Sequence, residues 1–159
     1  MGQPLSIEDE DSVYLITTRT SESRLWFIKN QRLEREILGV LSRCQERYGA
    51  KLYGFVLMGN HYHLLAKFPY RNRALFMRDF NSAVARLVGR GVDAHGRRAV
   101  WARRYSYQPL GDDRDVRHWF YYVALNPVSS GIVRSVGEYP SYNSYFDAVS
   151  GVVRRCLWI

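Results

Sequence analysis

The sequence predicts an α+β domain with elements in the order βαββαβ, the ferredoxin-like antiparallel sheet, followed by an additional helix towards the C-terminus. Three observations predict it. Short runs rich in β-branched and aromatic residues alternate with longer stretches whose apolar residues recur at helical spacing. Glycine, asparagine and proline punctuate the joints. The two central runs are separated only by Gly59-Asn60, a tight turn that makes them an antiparallel hairpin.

Residues 1–12 are acidic and polar and read as a loosely ordered arm. Val13-Tyr14-Leu15-Ile16-Thr17-Thr18 is the first strand. After a Ser/Thr/Arg-rich loop, Leu33, Ile37, Leu38, Leu41 and Tyr48 share one helix face, and Gly49 marks its stop. Leu52 to Met58 is the second strand and His61 to Phe68 the third, ended by Pro69. Leu75, Phe76, Phe80, Val84, Leu87 and Val88 define a second amphipathic helix, with both phenylalanines in the core. Gly89 to Arg98 is Gly- and Arg-rich and reads as a loop. Val100 to Leu110 is expected as the fourth strand. Beyond Gly111, Asp112 or Asp113 caps a helix over Val116, Phe120, Tyr121 and Val123. One domain is expected over residues 13–146, with 147–159 as a tail.

All but three of the 23 basic residues are arginine, the exceptions being Lys29, Lys51 and Lys67, and the net charge is +8. The arginine fork matches phosphate oxygens and stacks on bases, so the bias points to nucleic acid, although a GC-rich genome with a solvated basic surface gives the same composition. Cys44 and Cys156 form no ligand cluster and read as free thiols of a reducing cytoplasm. No signal peptide or membrane-spanning run is expected.

Half of the four histidines stand in His61-Tyr62-His63, inside the apolar run from Phe55 to Leu65. On a strand both imidazoles project from one face, which makes a divalent-metal half-site. A second constellation is Tyr122 with Asn126, four apart and so on one helix face. Pro127 places Asn126 at or near that helix's end. The carboxamide oxygen can serve as a hard third ligand, and with water and a phosphate oxygen the set suits Mg²⁺ or Mn²⁺ better than a closed zinc site. The phenol can act as nucleophile. A tyrosine hydroxyl with its free pKa of about 10 is weak at neutral pH, and charge neutralisation on a phosphate under attack compensates.

Phe55-Val56-Leu57-Met58-Gly59-Asn60-His61-Tyr62-His63-Leu64-Leu65 resembles the "VLMPNHVHLL" signature of single-tyrosine HUH transposases, specifically the REP-associated tyrosine transposase group. Tyr122 to Val133 resembles that group's "YIxLNPVRAGLV". Val100 to Tyr105 falls where the group has a Trp/Arg/Tyr segment, and Tyr139 to Tyr145 is similar to its "YPWSSY" tail. Gly59 stands where proline is common, and Ser129-Ser130 replace a frequent Arg-Ala pair. The likeness spans Val13 to Tyr145.

The resemblance implies that His61 and His63 bind a divalent cation with Asn126 as third ligand. It implies that Tyr122, on the added catalytic helix, attacks a DNA phosphate to release a 3′-hydroxyl and leave a 5′-phosphotyrosine link. That link retains the bond energy for rejoining, so no nucleotide cofactor is expected. The implied substrate is single-stranded or hairpin DNA of the repetitive extragenic palindrome type, handled by a monomer, with a dimer as the alternative. Tyr121 points about 100° away from Tyr122 on a helix.

Arg97, Arg98, Arg103 and Arg104 flank Trp101 and are the expected phosphate contacts. Trp101 and Tyr105 are expected to stack on bases, with sheet-face packing as the alternative. His95 and His118 read as surface residues. Two other functions are compatible with these residues: a non-catalytic hairpin DNA or RNA binder, and a metal-dependent RNA phosphodiesterase using water as nucleophile.

Overall fold

Strand β3 (His61–Lys67) is buried along nearly its whole length, and its side-chain alternation sets how the layers stack. The computed structural model describes residues 7–90 and 99–156. Around β3 lie β1 (Val13–Arg19), β2 (Lys51–Leu57) and β4 (Ser106–Leu110), in the sheet order β2-β3-β1-β4. Each neighbouring pair is antiparallel, so the sheet has the expected ferredoxin-like order.

Helices α1 (Gln31–Tyr48) and α2 (Arg73–Gly89) cover one face. Tyr14, Ile16, Phe55, Tyr62, Leu64 and Ala66 meet Ile37, Leu41, Phe76 and Phe80 there in the larger core. Helix α3 (Asp113–Ser129) covers part of the other face, with Val123, Phe120 and Trp119 packed against Leu15, Val56, Met58 and Leu65. The caps at Asp112 and Gly49 are those expected from the sequence, and Asn30 adds a third. Asn30 Oδ1 accepts from Leu33 N–H at the start of α1, and Asp112 accepts from Asp115 N–H at the start of α3. Gly49 closes α1 in the left-handed conformation at φ 61°, with the Tyr70 ring where a Cβ would stand.

The N-terminal arm contributes a cap as well. Glu8 accepts from the N–H groups of Arg73 and Ala74, supplying α2 with the carboxylate that Asn72 does not.

Two elements differ from expectation. The fourth strand begins at Ser106 rather than Val100: its ladder with β1 stops at Thr17 opposite Ser106, because residues 102–105 set four residues against the two, Thr18 and Arg19, left on β1 before contact resumes at Thr20. Trp101 forms only an isolated bridge with Thr20, and its indole turns inward to donate to the Asn81 carbonyl. A further short helix, α4 (Tyr145–Ser150), follows a segment that pairs along β2. In that segment Leu57 N–H donates to Tyr142, Ser144 N–H donates to Phe55, and Tyr139 Oη donates to the Leu57 carbonyl. This covers the exposed edge of the sheet.

An extra residue, Tyr53, bulges between Leu52 and Gly54. Beyond it, Gly54 lies under α3, where an added Cβ would come within 3.6–3.8 Å of Leu65, Phe120 and Val123. Among the described residues no helix is long and apolar enough to cross a membrane.

Leu64 is fully buried at the centre of the sheet. Leu64→Ala is expected to cost about 2–5 kcal/mol, read in urea denaturation as a lower midpoint with an unchanged slope.

Candidate functional site

His61 and His63 lie on the β3 face that α3 approaches, while Tyr62 between them enters the opposite core. Their rings meet edge to face with centroids 5.0 Å apart. Strand β1 supplies the neighbours: its register sets Thr17 opposite His63 and Arg19 opposite His61. Thr17 Oγ1 is 2.8 Å from His63 Nδ1. Asn60, at the hairpin turn, places Oδ1 2.7 Å from His61 Nδ1, and its Nδ2 donates to the Ser23 carbonyl. An amide oxygen only accepts, so His61 donates from Nδ1 and keeps its lone pair on Nε2.

Helix α3 brings the other two groups. Tyr122 is 42% exposed, and its ring stands edge-on to His63 at 5.7 Å and to Trp119 at 4.9 Å. Asn126, one turn further on, is buried and lies against His61. Tyr121 is exposed and its ring packs on that of Phe120. The helix continues through Pro127 to Ser129, so Asn126 sits in its final turn. The position of α3 is tied from outside, by buried Asn143 donating to the Ala124 carbonyl at 2.8 Å.

Burial holds both imidazoles neutral. It pushes His61 down to about 4, an effect reinforced by the charge of Arg19 and opposed by the contact with Asn126. His63 is likewise pushed down to about 4, first by burial, then by the neighbouring His61 and by Arg19. Neutral imidazoles have the lone pairs that a cation needs. His63 Nε2 and Asn126 Oδ1 are buried with no hydrogen-bond partner among the described residues. Unpartnered buried polar atoms are costly, and a cation ligated by them would remove that cost. Among the described residues no group of three or more His, Cys, Asp or Glu side chains comes together. The donor set these residues could offer a divalent cation is two imidazoles and a carboxamide, to be completed by oxygens from water or substrate.

Residues 11–126 match the family described as Transposase IS200 like, a span that takes in His61, His63, Tyr122 and Asn126. The chain belongs to this transposase family. It is 22% identical over 139 residues to the REP-associated tyrosine transposase of Escherichia coli K12, covering 87% of this chain and 79% of that relative. A solved REP-associated tyrosine transposase bound to a REP hairpin superposes with a TM-score of 0.78 at 14% identity, covering 100% of this chain and 92% of the other. A candidate transposase from Deinococcus radiodurans R1 gives a TM-score of 0.51 at 15% identity, covering 77% and 94%. At these identities the structural likeness speaks for the fold.

In this IS200-like transposase the six residues expected to contact DNA fall in different settings. Arg97 and Arg98 lie outside the described residues. Arg103 and Arg104 are exposed. Trp101 packs against Phe27 and Tyr62 on the α1/α2 side of the sheet, so its ring is committed to packing. Tyr105 is half-buried beside Tyr107, with its hydroxyl inside and the Arg104 guanidinium over its ring.

Sequence reasoning missed Thr17, Arg19 and Asn60, which surround the imidazoles. Alternation along β1 puts Thr17 and Arg19 on one face, yet only the pairing register shows that they meet His63 and His61. A second feature is also tertiary. A groove of about 940 Å³ on the α1/α2 side is lined by Arg35, Arg43, Arg86, Arg90 and Arg155 among others, which concentrates much of the positive charge there.

In metal-free protein the two imidazoles are expected to titrate near pH 4, read from their ring-proton NMR shifts. Their folded pKa values lie below the ordinary 6.5, so between those limits the unfolded chain binds more protons. The contribution of these groups to stability is therefore complete above about pH 6.5 and is lost as pH falls towards 4. Thermal melts across that window should show it.

Proposed function

We propose that this transposase is a metal-dependent single-stranded DNA endonuclease and strand transferase, acting on hairpin or palindromic-repeat DNA through a covalent 5′-phosphotyrosine. The observation that carries the reading is the convergence of two neutral imidazoles, a buried carboxamide oxygen and an exposed phenol, drawn from β3 and α3. The REP hairpin held by the structural relative supports hairpin DNA as the substrate class.

His61, His63 and Asn126 would hold Mg²⁺ or Mn²⁺, which supplies charge neutralisation to the scissile phosphate. Thr17 and Asn60 orient the two imidazoles through their Nδ1 atoms. Packing against His63 and Trp119 fixes the Tyr122 ring while its edge stays open to an incoming strand. The phenol oxygen forms a bond to phosphorus as the bond to the 3′-oxygen breaks. Its proton passes to solvent, and the leaving 3′-oxygen takes one up. The link conserves a phosphodiester, so a 3′-hydroxyl can reverse the step and join strands without a nucleotide cofactor. Exposed Arg103 and Arg104 would bind the DNA backbone.

Incubation with single-stranded hairpin DNA and Mn²⁺ is expected to give an adduct that survives denaturing electrophoresis. Tyr122→Phe should abolish it, Tyr121→Phe should leave it, and EDTA should prevent it. A persistent adduct in Tyr122→Phe would sink the mechanism. Hairpin binding without any wild-type adduct would favour the non-catalytic binder. Affinity should also fall steeply as salt rises, because arginine–phosphate contacts release counterions.

A further inference from the structure

Arg19 occupies an electrostatically awkward place. It ends β1 directly opposite His61, on the same sheet face as both imidazoles, and is itself exposed. Its backbone is held from both sides. The Arg19 carbonyl accepts from Ala102 N–H at 3.0 Å, and the next residue, buried Thr20, donates from N–H and Oγ1 to the Asn60 carbonyl. The side chain therefore projects from a fixed point beside the histidine hairpin.

Of the other arginines near this end of the sheet, Arg103 and Arg104 are exposed on the segment leading into β4, and Arg24 is engaged. Arg24 pairs with Glu22 at 2.8 Å and lies over the Trp26 ring. Among the described residues no carboxylate forms an ion pair with Arg19. A guanidinium next to a donor set suited to a divalent cation repels that cation. The arrangement becomes favourable when an anion lies between the two.

We propose that Arg19 grips the non-bridging oxygens of the scissile phosphate and stabilises the charge that builds there as Tyr122 attacks, an inference that rests on the phosphotyrosine reading above. A phosphodiester carries one negative charge, and the five-coordinate arrangement formed by addition of a phenolate oxygen carries two. A guanidinium fork can donate to two of those oxygens at once. Tyr122 Oη bonds to phosphorus as the P–O3′ bond breaks, the phenol proton leaves to solvent and the 3′-oxygen gains one. Arg19 begins and ends the step protonated. Because the extra charge exists only during the attack, the arginine contributes more to the rate than to binding.

The position of Arg19 gives the test two readouts of opposite sign. In single-turnover adduct formation on a saturating hairpin strand, Arg19→Gln is expected to slow the reaction about 100-fold. In the same variant without DNA, Mn²⁺ should bind about threefold or more tightly than in wild type, since a neighbouring positive charge has been removed. Hairpin affinity should change less than the rate, and the thermal midpoint should stay unchanged. Arg19→Lys should recover part of the rate, keeping charge without the fork.

A wild-type rate in Arg19→Gln overturns this inference and leaves the phosphotyrosine reading standing. So does a joint loss of rate, Mn²⁺ affinity and thermal stability, which would mark Arg19 as structural. Absence of any adduct from wild-type protein overturns both.

Discussion

The register between β1 and β3 is the constraint on which the site depends, because strand side chains repeat every two residues and a one-residue slip would exchange the two faces of the sheet. In the observed register Tyr14, Ile16, Tyr62 and Leu64 enter the core beneath α1 and α2. The same pairing puts Thr17 against His63 and Arg19 against His61. A slip would expose the aromatic core and bury the histidines among the helices. The hydrophobic burial that holds the fold together therefore holds the chemistry in register as well.

Helix α3 has no comparable sheet register to obey, and its placement depends on three smaller devices. Gly54 leaves room for Phe120 and Val123 to sit close to β2. The bulge at Tyr53 brings that glycine under the helix. Asn143, in the segment that covers the β2 edge, reaches the Ala124 carbonyl two residues before Asn126. One segment thus covers a sheet edge and anchors the helix that carries Tyr122 and Asn126.

The charge of the molecule is divided between two settings. Around the histidines, burial keeps the imidazoles neutral and Arg19 stands at the rim. On the helical side, arginines from α1, α2 and the C-terminal segment line a broad groove. The first setting favours lone pairs for a cation and a local contact for one phosphate. The second attracts polyanions through summed potential rather than through any one contact.

Periodicity alone was enough for the order of elements and the ferredoxin-like sheet, since a period of two and a period of 3.6 are local properties of the chain. The histidine pair and the Tyr122/Asn126 pair were legible for the same reason: each lies within one element, and spacing decides which side chains share a face. The extent of β4 was not legible. Val100 to Tyr105 has strand-forming residues, but between Thr17/Ser106 and Thr20/Trp101 the two segments differ in length, which breaks the ladder, and Trp101 turns into the core. Nor could spacing show that Thr17 and Arg19 border the imidazoles, that Asn60 directs the His61 proton, or that arginines distant in sequence line one groove. Those facts depend on which strands pair, in what register, and on how helices pack across a sheet. Contacts between residues far apart in the chain are decided by the burial of the whole core, so only the tertiary structure could decide them.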